Sequence, residues 1–182
     1  MIILGIDPGT ATTGYGVIKK TNRKKHSKAY FSGAKNSKVQ KGLECVSYGV
    51  IKTDPESPDT ERLRRLHNQL NQIIRKYKPE FVVVEKLYFF KNLKTAIPVA
   101  QARGVILLAA AKKEIPVFEF TPLQVKTTVT GYGRSEKKQI QEMIKFLLDL
   151  KEIPKPDDAA DALGVAICCA NLLGNTVEND ER

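Results

Sequence analysis

The sequence predicts an α/β chain built on one mixed five-stranded sheet flanked by helices, with its first three strands antiparallel and the rest parallel. Two observations carry this. Ahead of residue 59 there are three β-branched, apolar runs with no helical spacing between them, and successive strands joined without a helix pair as antiparallel hairpins. Beyond residue 59, segments of helical spacing alternate with apolar runs. An order of helix, strand, helix, strand requires parallel crossovers.

The elements follow in order. Met1 to Ile6 reads as a buried strand, and Asp7-Pro-Gly-Thr10 as the turn that ends it. Gly14 to Ile18 is the second strand and Leu43 to Thr53 the third, so that 19–42 becomes an overlong hairpin tip. Leu63, Leu66, Leu70, Ile73, Ile74 and Tyr77 space an amphipathic helix, with Asp59 or Thr60 as its N-cap. Phe81 to Val84 is a short strand that ends at Glu85. A helix from about Asn92 to Lys113 precedes a strand at 116–120, with Pro98 expected in its opening turns. A short helix at Pro122 to Thr128, a Gly131-Tyr-Gly133 turn, a helix from Ser135 to Leu150 capped by Ser135, and a last helix from Asp157 to Leu173 complete the reading. Residues 1–173 form the expected domain, with a basic insertion at about 19–42 and a polar tail at 174–182.

Composition narrows the function classes. The 182 residues are 42% hydrophobic and 27% charged, enough to bury a core without disulfide or zinc. The cysteines, Cys45, Cys168 and Cys169, lack metal or redox spacing and read as reduced thiols, the last two as packing residues. No segment reads as a signal peptide or membrane span, so a soluble cytoplasmic protein is expected. The net charge of +10 is misleading, because nine basic and no acidic residues lie between Lys19 and Gly42. The remainder carries 21 basic against 20 acidic side chains. A case for nucleic acid must therefore come from a site and not from the pI.

Four acidic positions suggest such a site. Asp7 and Glu85 end apolar strands, and Asp158 and Asp161 stand i,i+3 on one face of the last helix. Ends of neighbouring strands lie close together, and carboxylates gathered there lose hydration and repel, at a cost of several kcal/mol unless a cation is present. Oxygen-only ligands favour Mg²⁺ or Mn²⁺ over zinc. Taken singly, each acid also fits a blander role as turn residue, solvated strand end or helix cap. Neither His26, in the basic tip, nor His67, beside the apolar stripe of the first helix, competes as a general base.

The segments Ile6-Asp-Pro-Gly-Thr, Gly14-Tyr-Gly-Val, Val84-Glu85, Gln101-Ala-Arg-Gly104, Gln124-Val-Lys126, Glu136-Lys137 and Asp158-Ala-Ala-Asp-Ala-Leu163, in that order from residue 1 to about 173, closely resemble the bacterial RuvC Holliday-junction resolvases. The resemblance implies a ribonuclease H-like fold and a homodimer that cuts opposed strands of a four-way DNA junction, leaving 5′-phosphate and 3′-hydroxyl ends. It implies two Mg²⁺ ions per subunit, with Mn²⁺ possible, and partnership with the RuvA and RuvB branch-migration proteins in recombination and repair. Asp7, Glu85, Asp158 and Asp161 match the family's catalytic, metal-binding carboxylates. Lys126 and Lys137 match basic positions near the scissile phosphate, and Tyr88, followed by Phe89 and Phe90, matches an aromatic that stacks on an unpaired base. Ala96, Ala100 and Gly104 lie on the helix that the family uses at its dimer interface. Asp157 is an added carboxylate at i,i+4 from Asp161, and spacing alone leaves it interchangeable with Asp158. The register of the resemblance favours Asp158 and leaves Asp157 as a cap or a solvated residue.

Three rival readings remain at this point. Actin-like kinases open with a similar Asp-x-Gly-Thr turn, but they need a second phosphate loop and a second domain, for which 182 residues leave no room. A ribonuclease H-like RNA-processing nuclease is a closer rival. The non-enzymatic alternative is a basic DNA-binding module with structural carboxylates.

Overall fold

The structure is a computed structural model and describes residues 1–21, 42–86 and 93–177. Tyr88, Phe89 and Phe90, most of the basic tip and the end of the tail lie outside the described residues. The elements are β1 (Ile2–Asp7), β2 (Thr12–Lys20), β3 (Leu43–Lys52), α1 (Asp59–Tyr77), β4 (Phe81–Glu85), α2 (Leu93–Ala111), β5 (Val117–Phe120), α3 (Pro122–Thr130), α4 (Lys137–Leu147) and α5 (Asp157–Val177).

The sheet runs β3-β2-β1-β4-β5. β1 pairs antiparallel with β2, and β2 antiparallel with β3. β4 lies parallel to β1 on its other side, with β5 parallel to β4. The expected mixed sheet is therefore present, with β1 at its centre. The fold is ribonuclease H-like.

Strand alternation divides the core into two. Leu4, Ile6, Val17, Val82 and Val84 are buried with Leu66, Leu70 and Ile74 of α1 and Ala102, Ile106, Ala109 and Ala110 of α2. Their strand neighbours Ile3, Ile18 and Val83 point the other way, into a cluster with Val125 and Val129 of α3, Ile140 and Ile144 of α4, and Leu163 to Ala170 of α5. Since side chains alternate across a strand, Asp7 falls on the face of Ile3, and Glu85 on that of Val83. Both carboxylates thus belong to the α5 side. Cys168 and Cys169 are buried in the same layer, and loss of hydration pushes both thiols up to about 12.

Several helix ends differ from the sequence reading. α1 is preceded by Pro58 with no side-chain cap, and Asp59 is already helical, held i,i+3 to Arg62 at 3.7 Å. Ser135 does not cap α4. Its hydroxyl is committed to Thr130 Oγ1 at 2.6 Å and to the Tyr132 carbonyl at 2.8 Å. Glu136 takes the cap, in a reciprocal box with Gln139, and the helix ends at Leu147 rather than Leu150. The start of α2 agrees with the reading: it begins at Leu93 with Pro98 in its second turn, where the missing N–H costs only a bond to the first turn. α5 continues past Leu173 to Val177, so the expected polar tail begins as helix. Among the described residues no helix is long and apolar enough to cross a membrane.

Candidate active site

Asp7 and Glu85 become neighbours through strand pairing. Ile6 stands opposite Val84 in the parallel register, and one residue further the same register sets Asp7 beside Glu85, on adjacent strands about 4.8 Å apart. On the opposite edge of β1, Asp7 pairs with Gly14 of β2.

The helix aspartates arrive because α5 is pressed flat on the glycines of β1 and β2. A methyl group built on Gly5 would sit 2.1 Å from the Ala162 carbonyl oxygen, and one on Gly14 would sit 2.0 Å from that of Asp158. Only a residue without Cβ fits at either position. The helix start is thereby held over the end of β1, which turns Asp158 and Asp161 toward Asp7.

The turn that carries Asp7 is also held from behind. Thr13 Oγ1 donates to the Gly9 carbonyl at 2.6 Å, and Thr53 Oγ1 donates to that of Thr10 at 2.5 Å. Arg62 Nε in turn donates to Thr53 Oγ1 at 3.1 Å. Thr13 and Thr53 are both buried. The sequence reading did not single out these residues, since a threonine in a strand signals nothing by itself.

The electrostatics record the crowding. Burial, then the charges of Glu85, Asp161 and Asp158, push the Asp7 carboxyl up to about 8, with Lys137 opposing. Burial and the charge of Asp161 push Glu85 up to about 7. Burial also raises Asp161, against the pull of Lys137. Lys137 Nζ lies 3.3 Å from Asp161 Oδ2 and 3.0 Å from Asp157 Oδ2. Burial works against its ammonium, but the bond to Asp157 and the nearby charges outweigh it and hold its pKa above the usual lysine value. Lys126 is on α3, half-buried and with no ion pair among the described residues. His67 is tied to Asn71 within α1, on the side of the sheet away from the carboxylates.

The site therefore unites Asp7, Glu85, Asp158, Asp161 and Lys137. Among the described residues no three acidic, histidine or cysteine side chains are gathered tightly enough to form a coordination shell; the carboxylates feel one another as charges, not as a closed cage. The donor set still fits a hard divalent cation: oxygen ligands only, with the carboxyls of Asp7 and Glu85 raised into the neutral range by burial first and by neighbouring carboxylate charge second, the charge that a cation would offset.

A ribonuclease H-like sheet with acidic side chains on the central strand, its parallel neighbour and the crossing helix defines a nuclease. The family model for the crossover junction endodeoxyribonuclease RuvC matches residues 33–169. The chain belongs to the RuvC family. A RuvC of Desulforamulus reducens is 52% identical over 170 residues, which cover 93% of each chain. The structure of Thermus thermophilus RuvC in complex with a Holliday junction substrate has a TM-score of 0.81 at 31% identity, over 95% of this chain and 94% of that one. The yeast mitochondrial Holliday junction resolvase Ydc2 shares the fold, with a TM-score of 0.62 at 12% identity over 92% of this chain and 77% of that one.

Proposed function

We propose that the chain is a structure-selective endonuclease that resolves four-way DNA junctions by hydrolysing phosphodiester bonds in recombination and repair. The observation that carries this is the placement of Asp7, Glu85, Asp158 and Asp161 on one face of the sheet, where burial and neighbouring negative charge raise the carboxyls of Asp7, Glu85 and Asp161, in a chain of the RuvC family. These four side chains hold divalent cations, Mg²⁺ first and Mn²⁺ as the substitute, two per subunit. When bound, such cations supply Lewis-acid stabilisation to the charge that develops on the phosphate.

The remaining work falls to the chain itself. Lys137, at the rim of the cluster, and Lys126, on α3, bind non-bridging phosphate oxygens and neutralise them. The α5 contact with Gly5 and Gly14 fixes the carboxylates in mutual register, so no reorganisation is spent at the moment of reaction. Tyr88 stacks on an unpaired base at the junction centre. Water adds to phosphorus, the 3′ oxygen departs with a proton, and the nick carries 5′-phosphate and 3′-hydroxyl ends. Paired cuts require two subunits, so the working form is a homodimer, in partnership with RuvA and RuvB in the cytoplasm.

One assay tests the proposal. A synthetic four-way junction and a linear duplex of the same sequence are incubated with the protein in Mg²⁺ and in EDTA. Symmetric nicks in the junction alone, sealed by ligase and dependent on Mg²⁺, are the expected result. Binding without nicking would favour the non-catalytic module, and preferential cutting of RNA the processing nuclease.

A further inference from the structure

Asp157 is the acidic residue at the site that the function above leaves without a role. It is the first residue of α5, and its side chain is 62% exposed. Its two oxygens are nonetheless both committed: Oδ2 to Lys137 Nζ at 3.0 Å and Oδ1 to Gln141 Nε2 at 2.9 Å. Lys137 and Gln141 stand one turn apart on α4 and so present one face to the start of α5. Bonds from both hold the Asp157 carboxyl below the usual carboxylate range. Its charge raises Asp161 but is not among those that raise Asp7 or Glu85, whereas that of Asp161 raises both.

Two carboxylates one turn apart therefore share a single ammonium, one inside the acidic cluster and one outside it. A divalent cation on Asp161 would stand beside the ammonium, and at contact distances the repulsion between them is large. Lys137 must then leave Asp161, and an exposed lysine without another anchor is lost to solvent. We propose that Asp157 is a positioning residue that takes over Lys137 from Asp161 when a divalent cation occupies the cluster, so that the ammonium stays at the rim where a phosphate arrives. Asp157 is not itself a ligand: both its oxygens are in use, with Gln141 fixing the one that Lys137 leaves free. This inference rests on the reading of the cluster as a cation site.

The test is Mg²⁺ binding to the full chain without DNA, measured by calorimetry for the wild type, Asp157→Asn, Lys137→Met and the double variant. Asp157→Asn should weaken Mg²⁺ binding about fivefold, because Lys137 then stays on Asp161 and competes. Lys137→Met should tighten binding, and in that background Asp157→Asn should change it by less than about twofold. Asp157→Glu should restore most of the wild-type affinity. Equal weakening by Asp157→Asn in both backgrounds would make Asp157 a ligand and overturn the assignment. No weakening in either would leave it a clasp between α4 and α5, which overturns it too. Absence of Mg²⁺ binding by the wild type would overturn the cluster reading itself, an outcome distinct from both.

Discussion

Gly14 rests directly against the backbone of Asp158. A Cβ at Gly14 would lie 2.0 Å from the Asp158 carbonyl oxygen and 2.4 Å from its carbonyl carbon, and Gly14 is the residue paired with Asp7 across the sheet. One glycine therefore sets the separation between a strand carboxylate and a helix carboxylate. Because the obstacle is backbone, it cannot swing aside as a side chain would. Gly14→Ala should lower stability by about 1 to 3 kcal/mol, the scale of overpacking in a close-packed interior. It should slow junction nicking by about 100-fold, since a displacement near 1 Å is enough to misplace reacting groups. Denaturant unfolding beside single-turnover nicking checks both. A folded variant with wild-type nicking would mean that α5 tolerates a shift the carboxylates do not feel.

The four carboxylates and the basic groups should separate in their effects. Asp7→Asn, Glu85→Gln, Asp158→Asn and Asp161→Asn should each slow nicking by about 100-fold or more, the scale of removing a group that acts on transition-state charge. Junction affinity in EDTA should hold or improve, because each change removes a negative charge that faces phosphate. Gel shifts and nicking assays on the same preparations decide it. Parallel loss of binding in all four would assign these residues to folding or DNA contact.

Much of this site was legible in the sequence, and for a definable reason. Asp7 and Glu85 are marked by ending apolar runs, and Asp158 and Asp161 by an i,i+3 spacing; both signals are local. What distinguishes Asp157 from Asp158 is not local, since it depends on Lys137 and Gln141 of α4, 16 to 20 residues away. The cap of α4 failed for a related reason. Serine is the stronger capping residue in general, but the Ser135 hydroxyl is bound to Thr130 and Tyr132, and the cap passes to Glu136. The support of the Asp7 turn by Thr53 and Arg62 joins β3 and α1 to that turn across some forty to fifty residues, beyond any pattern of spacing.

The outer face of α2 should carry the dimer contact. Ile97 and Leu108 are 70% and 52% exposed, Ala100 and Gly104 lie exposed between them, and a Cβ on Gly104 would meet nothing within 4 Å. The opposite face, Ala102, Ile106, Ala109 and Ala110, is fully buried. A two-fold contact places the same patch on both partners, and its small residues let two helices approach. Leu108→Arg should leave the fold intact, as surface changes cost about 0.5 kcal/mol or less, and yield monomers by light scattering. A dimer of unchanged mass would move the interface elsewhere.

Cation affinity should rise steeply with pH through neutrality. In the cation-free protein the Asp7 carboxyl is raised from 3.8 to about 8 and that of Glu85 from 4.5 to about 7. Between the unfolded and folded values the native state holds protons that the unfolded chain has released, so stability falls as pH rises across that window. The thermal midpoint in EDTA should therefore drop between about pH 5 and pH 8, more for the wild type than for Asp7→Asn, which has no carboxyl to ionise there. Mg²⁺ reverses the sign. It binds the ionised carboxylates, so protons are released as it binds near pH 6 to 7, and its stabilising effect should be larger at about pH 8 than at pH 6. Calorimetry in two buffers of different ionisation enthalpy counts the protons, and thermal unfolding with and without Mg²⁺ gives the stability. A midpoint in EDTA that stays level across the window in both proteins would mean that Asp7 ionises normally, and that the cluster carries its charge without a cation.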